Sequence, residues 1–395
     1  MRAPFFALVL VGCSFSAATP SSSLTDAGDD NVAPPIDSAS LDGKIPAFCA
    51  GTFVKICVDP PQAPRTLTAA TTPQIDTSIS PLCVPYTATP NIDACVITGQ
   101  SITIPGGNTI SVVSGNITVD GKSVTGTKRL ILLATESITI SGVLDAAGHG
   151  KTSGPAGSAG PCGAGTKNPT RGFQGGGGWG GSFGGAGKNG GDGATGSGGM
   201  AAARFDATTL RGGCPGSDGA DNVLGSGGGE RGGGGGAVLL IANQTITIDG
   251  TLNASGGKGR GGQGGGGGGG GGSGGMIVLD ASTVNTPGKC FANGGGGGEG
   301  ANLTNGRDGG ESKAPNQVAD GGKGGPAPGG DGGDGGFGAT DGLSGTNGTT
   351  GAPGGQDDGG GGGGGGGVGI IKVFADQQSG TTDPSKVAPS PVAGS

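Results

Sequence analysis

Few residues of this 395-residue chain could carry chemistry, and the single histidine limits the choice most. A Ser-His-Asp triad would need His149, and a metal site built from several histidines is excluded. His149 lies at the mouth of a glycine-rich stretch, where solvent is its expected environment. Hydrolysis of a glycan needs two carboxylates at a defined separation. Asp145 and Asp249 come from different segments of different repeats, so the sequence does not define the distance between them. We therefore predict no catalytic residue, no enzymatic activity and no cofactor.

A calcium site is the one metal possibility in the sequence. Gly329-Gly330-Asp331-Gly332-Gly333-Asp334 matches the start of the RTX nonapeptide, which binds calcium when it repeats in tandem. Here it occurs once, and glycine occupies the position that needs an aliphatic residue. A chance match is expected in a chain with 103 glycines. We therefore predict no metal site. Asp331 and Asp334 are the weak candidates for calcium ligands.

A ladder of hydroxyl groups is the most distinctive predicted surface. Short segments alternate isoleucine with serine or threonine, and this period of two places the polar side chains on one face of a strand. A regular hydroxyl ladder of this kind resembles those of ice-binding and glycan-binding solenoids, whereas the ordinary interpretation is a solvated polar face. The predicted ladder contains Ser101, Thr103, Asn116, Thr118, Ser137, Thr139, Thr245, Thr247, Thr283 and Asn285, and its ligand candidates are Ser137, Thr139, Thr245, Thr247 and Thr283.

These segments belong to a repeat that organises the chain. LILLATESITISGVLDAAG at 130–148 returns at 238–256 and at 276–294, without a gap, at offsets of 108 (238 − 130) and 146 (276 − 130). Each copy has an apolar run, an alternating segment and, after a glycine, a third short segment. One copy cannot bury its apolar face, but stacked copies can share a core.

The repeat predicts an all-β fold, a parallel β-helix or β-solenoid of a few turns, against the alternative of a sandwich or meander. By these repeats the body resembles right-handed parallel β-helix proteins, many of which bind or degrade polysaccharides. Ser101–Ile104 and Ile117–Gly121 are shorter echoes that extend the predicted stack.

Composition and charge exclude several functional classes. Aromatic residues are 3% and hydrophobic residues 31%, so the core must be thin. A net charge of −7 argues against nucleic acid, which requires a clustered basic surface. No apolar stretch approaches the ~18 residues of a membrane-spanning helix.

The N-terminus resembles that of bacterial lipoproteins. Arg2 precedes the apolar Phe5–Val11, and Leu10-Val11-Gly12-Cys13 matches the lipobox. The resemblance implies a signal peptide at 1–12, lipid attachment to Cys13 and, since Ser14 follows, an outer-membrane or cell-surface location. The alternative is an ordinary secretory signal. Residues 13–45 are rich in Ser, Ala, Asp and Pro and are predicted to be a disordered tether.

Export implies an oxidising compartment, in which cysteines pair. Four cysteines at 46–98 are predicted to staple an N-terminal cap, and three connectivities are possible for them. Without Cys13, seven cysteines remain, which fits three pairs and an unpaired Cys290 at an inward position of the repeat. The preferred pairs are Cys49–Cys57, Cys83–Cys95 and Cys162–Cys214.

Glycine-rich insertions are predicted at about 149–236, 257–275 and 295–367 of a body spanning 99–376, followed by a disordered tail at 377–395. Some tracts keep glycine at every third residue, for example Gly187, Gly190 and Gly193, a period that suits polyproline-II geometry. Short polyglycine strands joined by Cα–H···O contacts and simple disorder remain open. These tracts resemble the glycine-rich region of PE-PGRS proteins, although no helical PE head is present.

Taken with the lipobox, the pattern looks like that of glycine-rich surface lipoproteins of environmental Gram-negative bacteria. The leading hypothesis is a non-enzymatic, lipid-anchored surface protein with a role in adhesion, matrix or envelope structure. Its expected partners are the membrane, surface polysaccharides and other envelope proteins. The alternatives are a polysaccharide-binding or polysaccharide-degrading β-helix protein and ice binding through the Ser/Thr ladder.

Overall fold

The computed structural model describes residues 47–113, 116–119, 122–125, 128–158, 162–204, 207–225, 227–302, 304–323, 330–331, 335, 349–350, 359–380 and 383–393. Within them the regular structure is all strand, and no apolar helix of membrane-spanning length occurs. In chain order the strands are β1 (Phe48–Ala50), β2 (Lys55–Val58), β3 (Arg65–Thr66), β4 (Gln74–Asp76), β5 (Thr87–Thr89), β6 (Ala94–Ile104), β7 (Thr109–Val113), β8 (Asn116–Val119), β9 (Lys122–Thr125), β10 (Arg129–Ile140), β11 (Val143–Asp145), β12 (Ala237–Ile248), β13 (Thr251–Asn253), β14 (Met276–Asn285), β15 (Lys289–Phe291), β16 (Ile370–Phe374), β17 (Gln377–Ser379), β18 (Val387–Ala388) and β19 (Val392–Ala393).

Two parallel sheets form the centre of the fold. The large sheet has the order β19-β16-β14-β12-β10-β6-β3, with β17 also paired to β14, and the small sheet has the order β18-β15-β13-β11-β7-β4. Two antiparallel sheets complete the set: β1-β2-β5 and the hairpin β8-β9.

The predicted β-helix is therefore wrong. The apolar run and the alternating segment of a repeat are one continuous strand, as in β10, instead of two strands separated by a corner. Each copy then supplies one long strand to the large sheet and one short strand to the small sheet. The result is a set of parallel and antiparallel sheet layers, and the strands do not wind into a closed solenoid.

The two halves of each long strand lie in different environments. In the first half of β10, Leu130 and Leu132 face the core between the two sheets, while Ile131 and Leu133 face a second core on the other side of the large sheet. In the second half, Ile138 and Ile140 continue the first core, and the alternating residues Ser137 and Thr139 point outward. A continuous apolar run followed by strict alternation is the pattern expected for this change in burial.

The register confirms the first two copies of the repeat and corrects the third. Leu130 lies opposite Val238, and Ser137 lies opposite Thr245, as the alignment predicted. In the third copy, however, Ile277 and not Met276 lies opposite Val238. The reason is a difference in length: β12 has two residues between Ala242 and Thr245, whereas β14 has one between Ala281 and Thr283. A β-bulge takes up the difference.

The segments at the two ends of the predicted stack also have a different structure from the one predicted. β8, which contains Asn116 and Thr118 of the predicted ladder, pairs with β9 in a separate hairpin instead of joining the large sheet. Residues 377–380 and 383–393, predicted as part of a disordered tail, supply β17, β18 and β19 to the two main sheets. The predicted cap supplies β3 and β4 to the edges of those sheets.

The remainder of the cap covers the outer face of the large sheet rather than its end. Ile56 and Val58 of β2 share the second core with Leu133, Ile241 and Val278. Three disulfides are present, Cys49–Cys57, Cys83–Cys95 and Cys162–Cys214, and they join the cysteines of the predicted pairs. Cys290 is free and buried at the inward position predicted for it.

The described glycine tracts are ordered by backbone hydrogen bonds, with a period of three. From Gly266 to Gly275, successive N–H groups donate to three neighbouring segments in turn. Every third N–H group donates to the same segment, and the distances are 2.8–3.0 Å. Three residues per turn is the repeat of a polyproline-II helix, which has no internal hydrogen bonds and so offers every N–H to its surroundings. These are N–H···O bonds, whereas the sequence suggested weak Cα–H···O contacts.

The tract 264–275 lies at the centre of this glycine lattice, the name used below for it and its hydrogen-bonded neighbours. Its N–H groups donate to the tracts 214–220, 361–367 and 254–263, and its carbonyl groups accept from the tracts 175–181, 229–235 and 295–301. A Cβ atom at Gly268, Gly270 or Gly272 would fall well inside van der Waals contact with a neighbouring carbonyl group. Glycine is thus required by the closeness of the backbones, and the hydrogen bonds offset its large loss of conformational entropy.

Candidate functional site

The candidate site is the hydroxyl face, defined here as Ser101, Thr103, Ser137, Thr139, Thr245, Thr247, Thr283 and Asn285. These residues form two ladders across β6, β10, β12 and β14, with Ser101, Ser137, Thr245 and Thr283 in one and Thr103, Thr139, Thr247 and Asn285 in the other. Neighbouring strands lie about 4.8 Å apart, and residues two apart along a strand about 6.7 Å. The backbone therefore sets a regular grid of polar groups.

The inward residues of the same strand segments hold this grid in place. Ile102, Ile138, Ile246 and Val284 are completely buried between the two sheets. A slip of one residue would expose these side chains and bury the hydroxyl groups, so the core specifies the register of the ladders.

The hydroxyl groups are available to a ligand. All eight residues are partly exposed, and among the described residues Ser137, Thr139, Thr245, Thr247 and Thr283 form no side-chain hydrogen bond within the protein. The grid extends at one end to Thr66, opposite Thr103, and at the other to Gln377 and Ser379. A hydroxyl group both donates and accepts, so the face can match either type of polar group.

A cleft of about 440 Å³ adjoins the hydroxyl face, where the cap meets the large sheet. Its most buried polar residue is Asp280, whose carboxylate accepts hydrogen bonds from the N–H groups of Thr52 and Phe53 and from the Thr52 hydroxyl. Asp280 is 7% exposed. It therefore fastens the cap to β14.

The role of Asp280 was not predicted from the sequence, although the apolar run around it carries one signal. Asp280 is the one charged residue in an apolar run, at the position that Ile241 occupies in the preceding strand. A carboxylate at a position where the neighbouring strand has an aliphatic side chain facing the second core indicates a polar partner on that side of the sheet.

Replacing Asp280 with alanine is expected to lower the free energy of unfolding by about 3 kcal/mol, because the N–H groups of Thr52 and Phe53 would lose two partly buried hydrogen bonds to a charged acceptor. Asp376 provides the matched control, since it is an exposed carboxylate of the same cleft. Urea unfolding of Asp280→Ala and Asp376→Ala measures both effects. Equal, small losses in the two variants would show that Asp280 does not fasten the cap.

His149 is held between two carboxylates. Its Nε2 lies 3.0 Å from Asp145 Oδ2, and its Nδ1 lies 3.0 Å from Glu311 Oε2. The hydrogen bond to Asp145, followed by that to Glu311, raises the pKa of His149 to about 10, against the opposing effect of burial. The imidazole is therefore cationic at neutral pH, a state that cannot accept a proton as a general base.

The His149 pKa predicts how this cluster responds to pH. Because the folded-state pKa lies above the unfolded value, the stabilisation is complete below about pH 6 and is lost as the pH rises towards 10. The melting-temperature difference between the wild type and His149→Gln should shrink over that range. Nuclear magnetic resonance can follow the ring directly, since the chain has one histidine. A titration midpoint near 6.5 would contradict the two-carboxylate geometry.

Asp145 and Asp249, the carboxylates considered in the sequence, have different hydrogen-bond partners. Asp145 also accepts a hydrogen bond from Asn253 Nδ2 at 3.1 Å, whereas Asp249 is exposed and 3.5 Å from the Ser141 hydroxyl. No hydrogen bond joins Asp145 to Asp249, and neither residue lines any of the clefts found in the described part of the chain.

The remaining predicted site residues lie partly outside the described chain. Asp331 is described, and its N–H donates to the Thr349 hydroxyl, but Asp334 and Cys13 lie outside the described residues. Within the described part, no group of three or more His, Cys, Asp or Glu residues could hold a metal ion. Calcium binding and lipidation stay predictions.

The three disulfides indicate folding in an oxidising, extracellular environment. No protein-family model matches the chain, and searches of curated proteins and of solved structures found no match either.

Proposed function

We propose that the chain is a non-enzymatic, lipid-anchored surface protein that uses its hydroxyl face for adhesion to a polysaccharide. The observation that carries this proposal is the pair of ladders in register across β6, β10, β12 and β14, with hydroxyl groups that have no partner in the described chain. A linear glycan also repeats its hydroxyl groups at regular intervals. Matching one periodic array with another allows many weak hydrogen bonds to form together.

Rigidity supports this role. The face is held from below by the core and alongside by the disulfide-stapled cap, so little conformational entropy is lost on binding. A surface of this kind gains affinity through repetition and needs no single deep pocket.

The experiment is to incubate the full chain with a panel of bacterial and plant polysaccharides. Retention of the protein and release of new chain ends are scored in the same tubes. Retention without chain ends is the expected result. Release of chain ends would replace the proposal with an enzymatic function, and the absence of retention on every polymer would remove adhesion to polysaccharide.

Ice binding is the second candidate, and it rests on the regular spacing of the grid in both directions. A crystal surface also presents partners at fixed intervals along two axes. Thermal hysteresis that disappears in Thr139→Val/Thr247→Val would select this function over adhesion to a polysaccharide.

The lipid anchor rests on the Leu10–Cys13 motif. Exchanging Cys13 for serine removes the sulfur that would carry the lipid, so the variant is expected in the soluble fraction of the producing cell. Membrane fractionation and mass spectrometry of the N-terminal peptide measure the change. Equal membrane association of the wild type and Cys13→Ser would contradict lipidation at this residue.

A further inference from the structure

A second cleft lies on the glycine lattice and contains the only tryptophan of the chain. It has a volume of about 440 Å³, and its polar lining includes Arg171, Asp218, Asp221 and Arg231 beside Trp179. A neighbouring cleft of about 490 Å³ shares Asp218, Asp221 and Arg231 with it. The two form one groove, which is distinct from the hydroxyl face.

The lattice fixes the position of Trp179. Its N–H donates to the Ser217 hydroxyl at 2.9 Å, and its carbonyl accepts from the Ser217 N–H at 2.9 Å. A Cβ atom at Gly165 or Gly199 would collide with the indole ring, so glycine at these positions leaves room for the ring. The indole N–H is buried on that inner side, and the ring is a preformed wall of the cleft.

The positive and negative charges of the cleft are equal in number, and some of their hydrogen-bonding atoms have no partner in the described part of the chain. Arg171 Nη2 lies 3.0 Å from Asp221 Oδ2, and the other Asp221 oxygen accepts the Gly228 N–H. Asp218 uses Oδ1 to accept the Arg231 N–H. The Arg231 guanidinium group has no hydrogen-bond or ion-pair partner in the described part of the chain.

We propose that this cleft is a binding subsite for an uncharged glycan, with one sugar ring packed against Trp179 and its hydroxyl groups bonded to Arg231 and Asp218. A pyranose ring has an apolar C–H face, which packs on an aromatic ring, and a rim of hydroxyl groups. Each hydroxyl both donates and accepts, which matches a guanidinium donor beside a carboxylate acceptor. Two arginines and two aspartates give the lining no net charge, so an ionic ligand gains no overall Coulomb attraction there.

The single tryptophan makes the subsite directly measurable. The full chain is titrated with hexasaccharides of β-1,4-linked glucose, xylose, mannose and N-acetylglucosamine, and with a hexamer of galacturonic acid as the charged comparison. The proposal predicts a saturable change in Trp179 fluorescence with at least one neutral hexasaccharide. No saturable change with any of the four, or a change with the uronate alone, would overturn it.

Variants connect the signal to the proposed contacts. Arg231→Gln and Asp218→Asn should each weaken binding about tenfold, because each removes a charged hydrogen-bonding group. Circular dichroism and melting temperature establish that both variants fold. Equal affinity in the wild type and both variants would overturn the proposal.

The triple variant Thr139→Val/Thr245→Val/Thr247→Val separates this subsite from the hydroxyl face. The fluorescence response should be unchanged in it, because the hydroxyl face is built from other residues. Loss of the response in that variant would place the bound sugar on the hydroxyl face and overturn the subsite at Trp179. These results test the subsite at Trp179 independently of adhesion through the hydroxyl face.

Discussion

Replacing Gly270 with alanine is expected to lower the free energy of unfolding by about 3 kcal/mol, at the upper end of the usual cost of overpacking. Gly270 lies in the central tract of the glycine lattice, where its N–H donates to Ser217 O and its carbonyl accepts from Gly232. An added Cβ would meet the backbone carbonyl of Trp179. Rigid backbone surrounds the tract, so the clash cannot be relieved by rotating a flexible side chain.

Gly106→Ala is the matched control for this prediction. Gly106 lies in the exposed turn after β6, and the nearest atom to its added Cβ would be Ser141 O at 3.8 Å. A change within about 0.5 kcal/mol is expected there. Urea unfolding of the two variants gives the comparison. Similar values for Gly270→Ala and Gly106→Ala would show that the lattice does not require glycine at its centre.

Removing three hydroxyl groups from the hydroxyl face should weaken adhesion about 100-fold, which corresponds to about 3 kcal/mol or one hydrogen bond per residue. The triple variant Thr139→Val/Thr245→Val/Thr247→Val keeps the branched shape that suits a strand. Since these hydroxyl groups have no partner in the described chain, the melting temperature should change little. The measurement is the affinity for whichever polysaccharide retains the wild-type protein.

Thr109→Val/Thr251→Val is the control for this second prediction. Thr109 and Thr251 both lie opposite Val143, one on each side of it, in the small sheet and away from the hydroxyl face. This double variant should bind as the wild type does. Equal losses of affinity in the two variants would indicate a general effect of removing surface hydroxyl groups, and unchanged binding in the triple variant would exclude the hydroxyl face.

The parts of the fold that sequence analysis predicted depend on local pattern. Alternation at Ile138–Ile140 and at Ile246–Ile248 determines which side chains are buried, and the structure buries all four isoleucines. The inward position of Cys290 followed from the same alignment. These properties are set by the period of a strand, which can be read from neighbouring residues.

The parts that were wrong depend on how distant segments meet. The segments 130–134 and 137–140 look separate in the sequence, but a register shift between Ala134 and Ser137 lets one strand contain both. The one-residue difference in β14 is likewise visible only when Ile277 is paired with Val238. Residues 117–119 match the repeat, but they lie in β8, which pairs with the adjacent β9 and not with the strands of the large sheet.

The candidate sites show the same division. The ladders could be predicted because they repeat along the chain. The His149 cluster could not, because Glu311 lies 162 residues away. The cleft at Trp179 could not be predicted either, because its walls come from three glycine-rich tracts whose packing leaves no pattern in sequence beyond glycine itself.

Amide hydrogen exchange across the tract 264–275 tests most directly whether the glycine-rich half of the chain is folded. Every N–H from Gly266 to Gly275 donates to another tract or, at Gly266, to Gln263 within its own turn. Protection in peptides from 264–275 should therefore approach that of β12, whose amides are paired on both sides. Exchange at the rate of an unfolded chain in that tract, with β12 protected, would contradict the glycine lattice.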